Sequence, residues 1–163
     1  MRWPCCARRA SLSRRPSSFT PWTTLEGYVD LLCRLIELEL VESVPPIQLC
    51  IRLLVPEGSY LLKLAAFRDL IQDFDARILG YRWRHQDARV DALQQQVQAF
   101  IASAEEEGLS RRRVFERIWA MAHQSLSRIA PPLDHLNLGS SMPHLSEPWY
   151  CCAEPTTQQL HSF

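Results

Sequence analysis

The chain has 163 residues, 47% of them hydrophobic, which suits one ordinary domain with a buried core. Its 18 basic and 18 acidic residues give a net charge of zero, so no overall field favours nucleic acid or an anionic membrane as a partner. No apolar run approaches the ~20 residues of a membrane-spanning helix.

The N-terminal segment, residues 1–18, carries five arginines and no acidic residue. This composition is typical of a disordered basic arm. It also suits a transit-like presequence or translation from a start that is not the natural one. No apolar stretch follows the arginines, so we expect no secretory signal and a cytoplasmic protein. In that compartment the six cysteines are expected to be thiols.

A helix and a buried strand are the first predicted elements. Thr23 and Glu26 fit a capping box, and apolar residues at helical spacing predict a helix over residues 24–41. The segment from Ile47 to Val55 is apolar and bounded by prolines. This pattern predicts a strand of the buried, parallel type.

Two polar side chains of this predicted strand are candidate contacts for a bound molecule. Alternation places Gln48 and Arg52 on one face, which in a parallel barrel would point into the lumen and require polar partners. The following loop, which contains Glu57, would lie at the end where barrel enzymes place their sites. An ordinary salt bridge between Arg52 and Glu57 is the alternative interpretation.

The rest of the chain up to the tail is predicted to be mainly helical. Ser59 caps a short helix that reaches Leu70, and residues 74–86 are predicted to form a loop. An apolar stripe then predicts a helix from Asp87 that stops at Gly108. Ser110 opens the next helix, and we expect the two to pack as an antiparallel pair.

The C-terminal tail contains adjacent cysteines in the string Trp-Tyr-Cys-Cys-Ala-Glu-Pro, residues 149–155. Cys151 and Cys152 suit the presentation of thiols on an arm better than the completion of a core. Adjacent cysteines can form a strained disulfide, which is easily reduced, although they chelate a single zinc ion poorly. An incidental pair without a function is one alternative. A metal site is another, and its further ligands would be His144, Glu154 and His161.

This string resembles the end of the CUAEP/CCAEP-tail family of radical S-adenosylmethionine (SAM) proteins, in which the first residue of the pair can be selenocysteine. Cys151 occupies that position here. The resemblance covers roughly residues 19–157 and is most specific in the tail. It implies an intact protein that cleaves SAM reductively with a [4Fe-4S] cluster to generate a radical. The interior segments that share the resemblance are residues 19–24, 48–56 and 81–85.

The chain departs from that family at the cluster site. Radical SAM enzymes usually hold the cluster with three cysteines spaced C-x-x-x-C-x-x-C, and no three cysteines here have that spacing. A barrel of about six βα units, each of roughly 30 residues or more, would also exceed this length. The resemblance therefore implies a C-terminal fragment, inactive alone and without a cofactor of its own. Its possible partner is the missing N-terminal barrel portion, and the cluster and SAM belong to the intact parent.

The expected fold is an α/β remnant, mainly α, in four parts. Residues 1–18 form a disordered basic arm, residues 19–73 the last βα part of a partial (β/α) barrel, residues 74–130 a helical extension and residues 131–163 a flexible tail. The implied site residues are the redox candidates Cys151 and Cys152, with Gln48 and Arg52 as contacts for SAM or substrate. The alternative function is a stand-alone helical interaction module with a redox-responsive Cys-Cys tail.

Overall fold

The computed structural model describes residues 19–134 and 136–140, and its architecture there is mixed α/β and mainly helical. The helices of this part are α1 (Leu25–Glu37), α2 (Ala65–Arg68), α3 (Ala88–Glu106) and α4 (Arg111–Ser125). Its strands are β1 (Val55–Pro56), β2 (Ile71–Asp75) and β3 (Gly80–Trp83), and two short 3-10 helices span Pro46–Leu49 and Tyr60–Lys63. The mainly helical character that the sequence predicted is confirmed for these residues.

Helices α1, α3 and α4 surround the larger of two apolar cores. Most of the apolar residues at helical spacing are buried there: Leu25, Tyr28, Val29 and Leu32 of α1, Val90, Leu93, Val97 and Ile101 of α3, and Val114, Phe115, Ile118 and Trp119 of α4. Leu35 and Ile36, later in the predicted first helix, are only partly buried, and Leu40 is exposed. Cys33 and Cys50 are buried in the same core, where a free cysteine packs as a small apolar side chain. The two long helices predicted after residue 86 are therefore confirmed, and they pack against each other.

Three helices of the described part end in the same way, in a Schellman motif with one residue in the left-handed conformation. After α3 that residue is Gly108, with φ of 67°, and this confirms the predicted stop. After α1 it is Glu39, with φ of 56°, and after α4 it is Ser127, with φ of 54°. The expected helix over residues 24–41 thus ends four residues early, because the chain turns at Glu39.

The cap of α1 also differs by one residue from the predicted one. Thr24 is the N-cap, and its hydroxyl accepts from the amide of Gly27 at 2.9 Å. The hydroxyl of Thr23 instead accepts from the amide of Thr20 at 2.8 Å. Thr23 therefore stabilises the turn that leads into α1, while its neighbour caps the helix.

The predicted strand from Ile47 to Val55 is wrong. Pro46 begins a 3-10 helix, because its fixed φ and missing N–H suit the first helical position. The helix ends at Leu49, and the Cys50 amide that follows donates to the Ile47 carbonyl. In this segment only Val55 lies in a paired strand. An apolar run of this length has no period that separates a strand from a buried turn.

The predicted loop over residues 74–86 is also wrong, because β2 and β3 form a hairpin there. The strand order is β1-β3-β2 and both pairings are antiparallel. One isolated parallel bridge joins Phe19 to Arg52. The strands described here therefore contain no parallel pair of the kind that a βα barrel unit requires.

The hairpin covers the second, smaller core, which is formed by Val55, Phe67 and Trp83. Gly80 allows β1 to approach β3 closely, because a Cβ there would lie 2.9 Å from the carbonyl oxygen of Val55. The two cores meet through the segment 50–54 rather than through a continuous sheet.

Other expectations fall outside the described residues. These are the basic arm of residues 1–18 and the part of the expected flexible tail, residues 131–163, that lies beyond residue 140 and includes Cys151 and Cys152. The first residues of that expected tail are described, and Leu133 and Leu138 are buried there. Within the described ranges, no helix combines the length and the apolar character needed to cross a membrane.

Candidate functional site

The structure places Gln48 and Arg52 in different settings rather than on one strand face. Gln48 belongs to the 3-10 helix Pro46–Leu49 and is exposed. Arg52 follows in an irregular segment, and its side chain is only 11% exposed. A guanidinium so deeply placed requires charged and polar partners.

Arg52 is the centre of a polar cluster that joins α3 to β3. Its Nη1 donates to Oδ1 of Asp91 at 2.7 Å, and its Nη2 donates to the carbonyl oxygen of Trp83. The guanidinium also stacks on the Trp83 ring, 3.7 Å from the ring centroid. The guanidinium group is planar, so it can donate two hydrogen bonds along its edge while its face stacks on the Trp83 ring. A lysine ammonium group could not make these contacts together.

The backbone around Arg52 is held on both sides. The amide of Phe19 donates to the Ile51 carbonyl, and the Leu53 amide donates to the Phe19 carbonyl, both at 3.0 Å. Nε1 of Trp83 donates to the Leu53 carbonyl at 2.8 Å. Nε2 of Gln94, a buried residue of α3, donates to the Cys50 carbonyl at 3.1 Å. Because its backbone groups are satisfied without a sheet ladder, this segment is partly buried while it remains irregular.

Asp91 connects the cluster to the start of α3. Its Oδ2 accepts from the amide of His85 at 2.9 Å while its Oδ1 holds Arg52. Nδ1 of His85 lies 2.9 Å from the amide nitrogen of Asp87 and 3.1 Å from the carbonyl oxygen of the same residue, so the ring packs against the start of α3. Asp87 caps α3, and its hydrogen bond with the Arg89 side chain lowers the pKa of its carboxyl to about 2.

Sequence reasoning missed Asp91 and Trp83 as partners of Arg52. Both are distant in the chain, and the pattern around them indicated only a helix and a loop. The only local signal is that Asp91 lies in the first turn of α3. Carboxylates are common there because they interact favourably with the helix dipole, so the position of Asp91 needs no tertiary partner to explain it.

The thiols of the described residues are poor candidates for reactivity. Cys33 and Cys50 are both buried. Burial, with a smaller contribution from the charge of Glu105, raises the pKa of Cys50 to about 12, so its thiolate is scarce at neutral pH. The Cys50 thiol donates to the Ile47 carbonyl at 3.3 Å, which fits a structural role.

Neither a metal site nor a relative defines the function further. Among residues 19–134 and 136–140, no group of three or more His, Cys, Asp or Glu side chains could hold a metal ion. Comparison with protein-family models, with curated proteins and with solved structures finds no match. The function must therefore be argued from the residues of this chain.

Replacing Arg52 should reveal how much the cluster contributes to stability. We expect Arg52→Met to lower the free energy of unfolding by about 3 kcal/mol, because it leaves the Asp91 carboxylate without its charged partner. Chemical denaturation measures this change. A double-mutant cycle with Asp91→Asn should show coupling of at least about 1 kcal/mol.

A matched control is Arg34→Met, which removes the exposed ion pair between Arg34 and Glu37. We expect that variant to lose less than about 1 kcal/mol. Equal losses at Arg34 and Arg52, or strict additivity of the Arg52 and Asp91 substitutions, would contradict the role assigned to the cluster.

The raised pKa of Cys50 predicts a loss of stability at alkaline pH. The unfolded chain ionises this thiol from its ordinary pKa of 9.0, whereas the folded chain resists ionisation until about 12. Stability should therefore be complete below pH 9 and fall as the pH rises toward 12, by at most about 1.4 kcal/mol per pH unit.

Cys50→Ser should flatten the pH dependence of denaturation midpoints between pH 9 and pH 10. Burial also raises the pKa of Tyr28, which adds a second slope above its ordinary value of 10.0. Tyr28→Phe should remove only that second slope. An unchanged slope in Cys50→Ser between pH 9 and pH 10 would show that the thiol ionises in the folded protein.

Proposed function

We propose that this chain is the C-terminal portion of a CUAEP/CCAEP-tail radical SAM protein and that Cys151 and Cys152 are its reactive groups. The observation that carries the proposal is the string Trp-Tyr-Cys-Cys-Ala-Glu-Pro at residues 149–155. The burial of Cys33 and Cys50 supports it indirectly, because neither thiol of the described part competes for this role.

The chemistry proposed for the pair is dithiol–disulfide exchange. Joining the two sulfurs transfers two electrons and two protons to a disulfide such as oxidised glutathione, which is released as two thiols, and reduction by a dithiol or by two glutathione molecules reverses the step. A disulfide between adjacent residues is strained, so it should be reduced more readily than a structural disulfide. This property suits a pair that hands reducing equivalents to a reaction elsewhere in the parent protein.

The chain itself does not fit the cluster of a radical SAM enzyme. Its six cysteines lack the C-x-x-x-C-x-x-C spacing, and we assign no step of SAM cleavage to its residues. The cluster, SAM and most of the barrel would belong to an N-terminal portion. The antiparallel sheet argues against a complete βα unit in residues 19–73, although the bridge between Phe19 and Arg52 is parallel.

Gln48 is the better placed of the two proposed contacts for SAM or substrate. Gln48 is exposed, whereas the side chain of Arg52 is only 11% exposed and binds Asp91 and Trp83, so a ligand reaches Gln48 more easily. A contact through Arg52 would require a ligand to compete with an ion pair of 2.7 Å. We therefore propose Arg52 as a structural residue beside the contact surface.

A second candidate function, the stand-alone helical module with redox-responsive thiols, is favoured by one observation. A severed barrel strand would leave the apolar face of residues 47–55 uncovered. Instead Leu49, Cys50 and Val55 are buried, and the others of this segment, Gln48 excepted, are at least partly buried. The folded part thus supports an independent module, and the tail supports the radical SAM relationship.

Redox titration of the full chain tests the cysteine pair. We expect glutathione buffers to convert the Cys151–Cys152 dithiol into a disulfide, with a midpoint potential above about −300 mV. Mass spectrometry of the tail peptide should show the loss of two hydrogens and their return on reduction. Cys5→Ser/Cys6→Ser, the matched control at the other adjacent pair, should leave this titration unchanged.

A tail that takes up two alkyl groups at every glutathione ratio would contradict redox activity of the pair. Cys151→Ser should abolish the two-hydrogen mass change of the tail peptide, and this would show that the disulfide joins Cys151 and Cys152.

Two measurements separate the candidate functions. The radical SAM fragment is expected to be preceded at its locus by a reading frame with the C-x-x-x-C-x-x-C motif upstream of the Phe19 codon. The stand-alone module is expected to melt cooperatively and to have no such frame. Cooperative melting without an upstream frame would remove the radical SAM proposal.

A further inference from the structure

Residues 136–140 turn back onto the loop after α1 and are called the latch here. The Leu138 carbonyl accepts from the Glu42 amide at 3.3 Å, and the Ser140 carbonyl accepts from the Ser43 hydroxyl at 3.4 Å. Leu138 itself is 2% exposed and belongs to the larger core. The latch is therefore docked by two apolar side chains, the buried Leu138 and the partly buried Leu136, and by a few hydrogen bonds.

The loop that contacts the latch contains a residue, Glu39, in a backbone conformation that is unfavourable for any residue except glycine. Glu39 occupies the left-handed position of the Schellman motif after α1, where glycine is the usual residue and where α3 has Gly108. A residue with a Cβ costs free energy in that conformation. An outlier of this kind calls for a compensating contact.

The latch supplies that contact. Nδ2 of Asn137 donates to Oε2 of Glu39 at 2.8 Å, and Oδ1 of the same Asn137 accepts from the Gly139 amide at 3.1 Å. Gly139 has φ of 86° and lies directly against Glu39, since a Cβ on it would stand 1.8 Å from the Glu39 carbonyl oxygen. Glu39 and Gly139 are thus fitted to each other, although 100 residues separate them.

The segment before the latch is attached more firmly. Nε1 of Trp119 donates to the Pro131 carbonyl at 2.9 Å, and Leu133 is buried. The Leu136 amide returns to the Leu133 carbonyl at 3.1 Å. A change in the latch could therefore stop at Leu133 without disturbing α4.

We propose that the latch is a reversible strap, which opens as a unit while the helical core remains folded. When it is closed, it fixes the root of the C-terminal segment beside Glu42 and Ser43. Cys151 is eleven residues beyond Ser140, so the closed latch confines its sulfur to within about 40–45 Å of that root. This positioning of the thiols rests on the proposed function, whereas the latch itself does not.

Amide hydrogen exchange of the full chain, followed by NMR, tests the latch. In the wild type, the Glu42 amide should be protected but should exchange at least tenfold faster than the Val97 and Ile118 amides of the core helices. Gly139→Ala should speed exchange at Glu42 a further tenfold or more. Exchange at Val97 and Ile118 should change less than twofold.

A second variant separates a latch from a merely structural contact. Glu39→Gly relieves the left-handed residue but removes the bond to Asn137, so we expect faster exchange at Glu42 without a fall in the melting temperature. The matched control is Gly58→Ala, another glycine with positive φ, whose added Cβ meets nothing within 4 Å. It should leave Glu42 exchange unchanged.

Two results would overturn the proposal. An unprotected Glu42 amide in the wild type would show that the latch is not closed in solution. A Glu42 amide that exchanges only at the rate of Val97 and Ile118 would show that the strap opens only when the core unfolds. Glu39→Gly gives the same readout if Gly139→Ala does not fold. Neither readout depends on the cysteines, so failure of the thiol titration would leave the latch intact.

Discussion

The Arg52 cluster is the interaction on which the rest of the described fold depends. Its ion pair reaches Asp91 in a helix of the larger core, and its stacking contact reaches Trp83 in the smaller core. A partly buried ion pair adds little net stability, but it costs much to leave one partner alone. The cluster therefore fixes how the hairpin and the helices fit together more than it strengthens either of them.

The parts of the fold that could be predicted are those whose determinants are local. The stripe of α3 lies between Asp87, which caps it, and Gly108, which ends it, so sequence alone defines the helix. Residues 47–55 lacked such signals, because an apolar run suits a strand and a buried turn equally well. Pro46 starts the 3-10 turn in this segment. The backbone after it is then satisfied by the backbone of Phe19 and by the side chain of Gln94, neither of which the local sequence reveals.

In the candidate site, too, local features could be predicted from the sequence and tertiary contacts could not. Adjacent cysteines are visible in the sequence whatever surrounds them, so the tail could be singled out without a structure. The role of Arg52 could not, since its partner lies 39 residues further along the chain. Burial also separates one thiol from another, because Cys50 has a pKa raised to about 12 that no sequence pattern reveals. Reactivity is a property of the surroundings and not of the residue type.

Glu39 shows how a broken local rule can point to a tertiary function. The same hydrogen-bonded turn ends α1, α3 and α4, and only α3 has the glycine that the conformation favours. Glu39 differs from Ser127, the residue at this position after α4, in the contacts that it makes with the latch. The carboxylate of Glu39 meets Asn137, and its carbonyl meets a glycine that nothing larger could replace. A glycine at position 39 would keep the turn but lose the bond to Asn137, so the contact with the latch offsets the free energy that a left-handed Glu39 costs.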